Sequence, residues 1–193
     1  VALGDYQLQF GQGLVMSGGF AIGKGSETTN TLRRSNTGIR PYTSTVESGF
    51  LRGAAATVEL NDRFDVSLFA SLNKLDGSVL DSSDFSQAEI DAANENGTSL
   101  EFAELSNNLG NGLHRKESEL DKKRLISQKV GGVNLSFVSK KKRLKTGATF
   151  VNTTYSQLFQ KSDQTYNNQE FSGKSNSTYG LNYSYNIQNF NFF

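Results

Sequence analysis

Short and long connections alternate strictly along this chain, and that pattern constrains the fold more than any other feature. Seven segments are strand-like, and in most of them apolar residues occupy every second position, for example Phe64, Val66 and Leu68. The faces of the segment from Leu144 to Leu158 are less distinct. Only a few turn-forming or charged residues follow the second, fourth and sixth segments. Long loops separate the others: roughly 18–46, 76–124 and 159–176. If neighbouring strands pair antiparallel, all short turns lie at one end of the sheet and all long loops at the other.

The composition favours a sheet with an apolar exterior. The mean hydropathy is −0.50 and only 35% of residues are hydrophobic, yet the chain holds 14 Phe and 7 Tyr. No apolar run approaches the roughly 20 residues of a membrane-spanning helix. Outer-membrane barrels have this composition, because lipid-facing and lumen-facing residues alternate along each strand. We therefore predict an all-β, antiparallel transmembrane β-barrel.

The period of two assigns each residue to a face. We expect the polar positions to face a wet lumen and the apolar positions to face lipid. The predicted lumen-facing residues are Gln7, Gln9, Thr57, Glu59, Asp65, Ser67, Asn134 and Asn182. The predicted lipid-facing residues are Tyr6, Leu8, Phe10, Val58, Leu60, Val66, Leu68, Leu135, Leu181 and Tyr183.

About seven strands do not make a closed single-chain bacterial barrel, which needs an even number. An open sheet in lipid would leave unpaired backbone groups at both edges. We therefore expect residues 1–193 to form one segment of a larger outer-membrane β-barrel domain. A soluble β-sandwich also alternates, so a soluble adhesin-like β-module is the alternative fold.

No motif predicts catalysis, a cofactor or a metal. The glycine-rich stretch 18–26 resembles a phosphate-binding loop but lacks Ser or Thr directly after Lys24. His114 is the only histidine, and the chain has no cysteine. Asp76, Asp81 and Asp84 lack the spacing of an EF-hand. We expect a protein that is not an enzyme.

Several stretches resemble large Gram-negative outer-membrane proteins that carry a helix-hairpin-helix region before their barrel. The residues that carry this resemblance are GDYQLQFGQGL (4–14), GIRPYTS (38–44), FLRGAAA (50–56), GLHR (112–115), EL (119–120), GGVNL (131–135) and NFNFF (189–193). Met16 and Ser17 stand where a Trp is common in such proteins. The resemblance implies an outer-membrane location and covers only the barrel part. Because the helix-hairpin-helix region is absent, direct nucleic-acid binding by this segment is not expected.

Two functions of different classes follow. The first is a porin-like or transport channel, whose loops and lumen set its selectivity. The second is a surface binding or assembly scaffold, which would handle a macromolecule, including nucleic acid, through regions outside this chain. The expected partners are outer-membrane lipid, the remainder of the barrel, and a protein docked at the long loops.

Overall fold

A computed structural model describes residues 1–18, 34, 36–45, 49–80, 102–105, 120, 123–159 and 171–193. This part of the chain forms ten β-strands. They are β1 (Ala2–Gln9), β2 (Gly38–Pro41), β3 (Leu51–Asn61), β4 (Phe64–Leu75), β5 (Gly77–Leu80), β6 (Phe102–Leu105), β7 (Ile126–Val138), β8 (Leu144–Phe159), β9 (Gly173–Ile187) and β10 (Phe190–Phe192).

Eight of these strands form one curled sheet with the outline of half a barrel. Their order is β10-β9-β8-β7-β4-β3-β1-β2, and every neighbouring pair on this path is antiparallel. β5 pairs with β6, which in turn pairs with two residues of β8 in parallel. The predicted all-β, antiparallel sheet is therefore confirmed, while its location in a membrane stays a prediction.

The short turns of the structure lie at the positions predicted from the sequence. In the turn between β3 and β4, the side chain of Asn61 accepts hydrogen bonds from the backbone N–H groups of Arg63 and Phe64. β7 and β8 are joined through residues 139–143, and β9 and β10 through Gln188 and Asn189. Asn, Ser and charged residues favour such turns, because they satisfy the local backbone and remain hydrated.

Three short strands lie where long loops were predicted. β2 lies within the first predicted loop, and β5 and β6 lie within the second. Each contains only four residues, which is too few for a two-residue period to stand out from the background. The other predicted strands coincide with β1, β3, β4, β7, β8, β9 and β10.

Strand register defines two faces of the curled sheet. On the concave face, one row of neighbours runs through Ala55, Phe69, Gly132 and Val151. The Phe69 ring lies over Gly132, where a Cβ atom would meet both this ring and the carbonyl oxygen of Phe150. Gly132 thus provides the space in which an aromatic side chain covers the sheet.

Two clusters of buried apolar side chains stabilise the concave side. The larger, which we call the luminal cluster, consists of Tyr6, Leu8, Phe10, Ala55, Phe69, Val130 and Val151. The smaller contains Ile126 and Phe159, with Tyr155 and Phe171 packed around them. It lies at the end of the sheet that carries the long connections. The core is therefore inside the curve of the sheet rather than between two sheets.

We predict that Gly132→Ala lowers the free energy of unfolding by about 1–3 kcal/mol, the usual cost of overpacking a filled site. The added methyl group would collide with backbone as well as with the Phe69 ring, and backbone cannot move aside cheaply. Chemical denaturation of the full-length protein in detergent micelles measures the change.

Gly131→Ala is the matched control, since its Cβ atom would lie 3.9 Å from the nearest neighbour, the carbonyl oxygen of Phe69. We expect it to leave stability within about 0.5 kcal/mol of the parent. Equal losses from both variants would show that strand propensity, rather than contact with Phe69, governs this position.

Candidate functional site

The convex face of the sheet carries a continuous apolar surface that we call the apolar band. Three rows of cross-strand neighbours form it, and almost every member is apolar. The rows are Ala56, Leu68, Val133, Phe150 and Tyr179; Val58, Val66, Leu135, Ala148 and Leu181; and Phe64, Phe137, Thr146 and Tyr183. Because the rows are in register, apolar side chains are neighbours both along each strand and across five strands.

Most side chains of the apolar band are exposed, and the others are half-buried. Leu68 is 56% exposed and Leu181 is 82% exposed, although both lie in the middle of long strands. Leu60, at the end of β3, is exposed as well. Within the described residues no second sheet covers this face. Of the residues predicted to face lipid, the following lie on the convex face: Val58, Leu60, Val66, Leu68, Leu135, Leu181 and Tyr183. Whether they contact lipid stays a prediction.

A row of polar and charged side chains limits the apolar band toward the long connections. Arg52 and Asp5 face each other across β3 and β1 and form a bidentate ion pair, with N–O distances of 2.7 and 2.9 Å. The Arg52 guanidinium lies 5.2 Å from the centre of the Phe50 ring, which in turn contacts Tyr42. Lys129 and Thr154 continue this border on β7 and β8, while the exposed apolar Leu72 interrupts it on β4.

The row of the apolar band nearest the short turns, together with the neighbouring strand ends, is rich in aromatic side chains and forms an aromatic border. The rings of Phe64 and Phe137 are 4.8 Å apart, and those of Phe190 and Phe192 are 6.5 Å apart. Tyr185 lies between them on β9 and is also exposed. Aromatic residues flank the apolar band of transmembrane barrels in the same way.

The predicted outward orientation of Tyr6, Leu8 and Phe10 is wrong. Tyr6 is 0% exposed and donates a hydrogen bond from its hydroxyl group to the Ala70 carbonyl, while Phe10 stacks on Phe69 inside the curve. Gln7 and Gln9 lie on the other side of β1 from this cluster, so their predicted arrangement is reversed. A period of two separates the faces of a strand but does not identify which face is inside.

The segment after β1 crosses the concave side of the sheet. Gly11 lies against the side chain of Asn182, and Val15 lies against Gly180, so both contacts reach β9. The returning chain is held to this segment, because Arg34 donates hydrogen bonds to Gln12 and Ser17. The chain thus fills space that the sequence predicted to be a wet lumen.

A polar ladder lies on the concave face next to the luminal cluster, toward the short turns. We give this name to Thr57, Ser67, Asn134, Thr149 and Ser136, of which all but Ser136 form one row across four strands. The hydroxyl groups of Thr57 and Ser67 are 2.8 Å apart. Asn134 is 2% exposed, donates to Thr149 at 2.7 Å and accepts from Ser136 at 2.9 Å. The predicted inward orientation of Thr57, Ser67 and Asn134 agrees with this placement.

A pocket of about 540 Å³ opens between the polar ladder and the short turns. Polar and charged residues line it together with two apolar ones: Asn36, Asp65, Ser136, Phe137, Val138, Lys145, Thr146 and Asn182. Glu59 is the register partner of Asp65 on the same face and is exposed. The predicted lumen-facing residues Asp65 and Asn182 are therefore brought together, and the pocket offers both charges and an amide to a polar solute.

Sequence reasoning missed the contribution of the first strand to the interior. The repeated Gly11 and Gly13, with φ of 56° and 77°, are the signal that could have indicated a sharp change of direction after Phe10. His114 and most of the glycine-rich stretch 18–26 lie outside the described residues, as do Asp81 and Asp84. In the described ranges no three His, Cys, Asp or Glu side chains converge into a metal site.

Among the described residues, no helix has the length and hydropathy needed to span a membrane. Comparison with protein-family models, curated proteins and solved structures gave no match. The resemblance to helix-hairpin-helix outer-membrane proteins therefore stays a prediction from the sequence.

We predict that Asn134→Ala lowers the free energy of unfolding by about 1–3 kcal/mol, because Thr149 and Ser136 lose a buried hydrogen-bond partner. Denaturant titration of the full-length protein in micelles measures this loss. Asn152→Ala is the control, since Asn152 donates to Ser175 and Ser177 at exposed sites and accepts from Thr154, in a less buried position than Asn134. A loss for Asn152→Ala as large as that for Asn134→Ala would show that the ladder has no special role in stability.

Proposed function

We propose that this chain forms part of the wall of a β-barrel in a bacterial outer membrane, with the apolar band facing lipid. The observation that carries this proposal is the apolar band itself, three in-register rows of mainly apolar side chains, of which most are exposed. Soluble monomers rarely expose apolar patches beyond a few hundred Å², because such a surface is unfavourable in water and promotes association.

The convex face on and around the apolar band is long enough to cross much of a bilayer. The three rows of the apolar band extend about 13 Å along the strands at ~3.3 Å per residue, and the rows on either side, from Ala54 and Ala70 to Leu144 and Tyr185, bring this to about 26 Å. Inclined at ~40°, these five rows cover about 20 Å of the ~25 Å apolar zone of an outer-membrane barrel, with the aromatic rows included and with polar Asn152 and Ser177 in the row toward the long connections. The long strands β3, β4, β7, β8 and β9 have 11 to 16 residues, enough to cross.

The proposal requires further strands. β10 pairs with only three residues of β9, and in the described part no other strand covers that edge. In hydrocarbon every backbone N–H and C=O group must be paired within the protein. Additional strands must therefore join β9 and the far edge of the sheet to complete the barrel.

The lumen of this barrel suits a restricted channel. The pocket beside Asp65 and Lys145 and the polar ladder offer a wet surface at the short-turn side. The luminal cluster occupies the middle of the concave side, so the path for a solute is narrow at Phe10 and Phe69. We propose transport of small polar solutes, limited by this constriction.

A second candidate is a membrane-anchored binding or assembly scaffold. The same luminal cluster favours it, because a lumen filled by Tyr6, Leu8 and Phe10 stabilises a barrel without leaving an open pore. In this case the long connections would dock the partner. Measurements of ion conductance in planar bilayers distinguish the two candidates, because only a channel conducts.

Leu68→Arg tests the membrane location. In the full-length protein folded into phospholipid vesicles, we expect a loss of about 2–4 kcal/mol in the free energy of unfolding, because Arg near the bilayer midplane is costly. Leu14→Arg is the matched control, since Leu14 is exposed and lies outside the apolar band. If both substitutions change stability by less than about 0.5 kcal/mol, the convex face is in water and the proposal is wrong.

Phe10→Ser and Leu8→Ser test the channel. We expect the parent protein to show small or rare conductance steps in planar bilayers, and the substituted proteins to show larger steps because the constriction is opened. Leu14→Ser is the control and should conduct like the parent. Silence of all four proteins, with normal insertion, would favour the scaffold over the channel.

A further inference from the structure

The turn between β7 and β8, which we call the basic turn, carries Lys140, Lys141, Lys142 and Arg143, all exposed. It is tightly built. The N–H of Ser139 donates to the Leu144 carbonyl at 2.9 Å, and the N–H of Lys142 donates to the Ser139 carbonyl at 2.7 Å. The Ser139 hydroxyl accepts a further bond from the N–H of Leu144. Four cations are thus held on a compact backbone.

Both neighbouring strand pairs fix the position of the basic turn. The N–H of Val138 donates to the carbonyl of Arg63 in the turn before β4, at 2.8 Å. The N–H of Asn186 donates to the carbonyl of Arg143, also at 2.8 Å. The cations therefore stand at the ends of the strands, directly beyond the aromatic border formed by Phe64 and Phe137.

Cations outnumber acids at the short-turn end of the sheet. The described residues there include six cations (Arg63, Lys140, Lys141, Lys142, Arg143 and Lys145) and three acids (Glu59, Asp62 and Asp65), and four of the cations are consecutive in the basic turn. In the described part of the chain, no ion pair joins the basic turn to another residue.

We propose that the basic turn binds the headgroups of anionic phospholipid at the membrane surface next to the apolar band. This inference rests on the proposed function, since it requires the apolar band to lie in a bilayer. Headgroups occupy the layer where the aromatic border ends, and the turn presents its cations there. An acidic protein or a nucleic acid would match the charge but not the continuity with an apolar surface.

The short turns of outer-membrane barrels face the periplasm, so the phospholipid would be that of the inner leaflet. Each Lys or Arg near an anionic surface is worth about 1 kcal/mol, or roughly fivefold in an equilibrium constant. Salt screens such contacts beyond a Debye length of ~8 Å at physiological ionic strength. Four cations held together should therefore give at least a tenfold preference for an anionic bilayer.

The experiment compares unfolding equilibria of the full-length protein in two kinds of vesicle, pure phosphatidylcholine and equal parts phosphatidylcholine and phosphatidylglycerol. For the parent, we expect an equilibrium constant for folding at least tenfold higher in the anionic vesicles, and loss of this difference at high salt. The variant K140Q/K141Q/K142Q/R143Q should lose most of the difference and fold normally in phosphatidylcholine.

A second variant removes four exposed cations near the long connections and serves as the charge-matched control: R40Q/K123Q/R124Q/K174Q. We expect it to keep most of the preference, because its four cations lie toward the long connections, at the opposite end of the strands from the basic turn. If both variants lose the preference equally, or the first keeps it, the basic turn does not bind anionic phospholipid. In either case normal folding in phosphatidylcholine leaves the proposed function intact. Failure of the parent to insert into any vesicle would overturn both proposals.

Discussion

The two-residue period of the strands, kept in register across five neighbours, determines the rest of this structure. Because register aligns Val58, Val66, Leu135, Ala148 and Leu181 in one row, single apolar residues become a continuous surface. A shift of one residue in any strand would place its apolar side chains among the polar ladder. The hydrogen bonds of Asn134 and Thr149 oppose such a shift, since they are satisfied only in this alignment.

The interior is organised in layers rather than as a uniform lumen. An apolar layer around Phe69 lies beside a polar layer around Asn134. The two layers are offset by two positions along each strand. Glycine contributes to the first layer, because only the absence of a side chain at Gly132 lets the Phe69 ring lie flat on the sheet. β1 and the residue after it supply the rest of the apolar layer. Tyr6 and Phe10 are therefore buried on the concave side, whereas Tyr179 and Tyr183 of β9 lie on the convex face.

Much of the sheet could be predicted from the sequence, because β3, β4, β7 and β9 are long and alternate clearly, and β8 is long and strand-like although its two faces are less distinct. Their turns were also predictable, since Asn61 and the run 139–143 are turn-forming or strongly hydrated. The orientation of β1 could not be predicted, because alternation looks the same whichever face is inside. Only tertiary contacts, such as that of Phe10 with Phe69, determine which face of this segment is buried. β2 was missed because a strand of four residues, paired through its backbone with β1, leaves no periodic signal.

The edge of β9 has a consequence for how such a protein assembles. Along residues 173–183, β8 occupies one side of the strand, and in the described part of the chain no strand pairs with the other. An unpaired strand edge next to a row of Tyr and Leu side chains is a surface on which two β-sheets can associate edge to edge. In the proposed barrel, this edge would need a chaperone or rapid insertion to avoid self-association until another strand covers it.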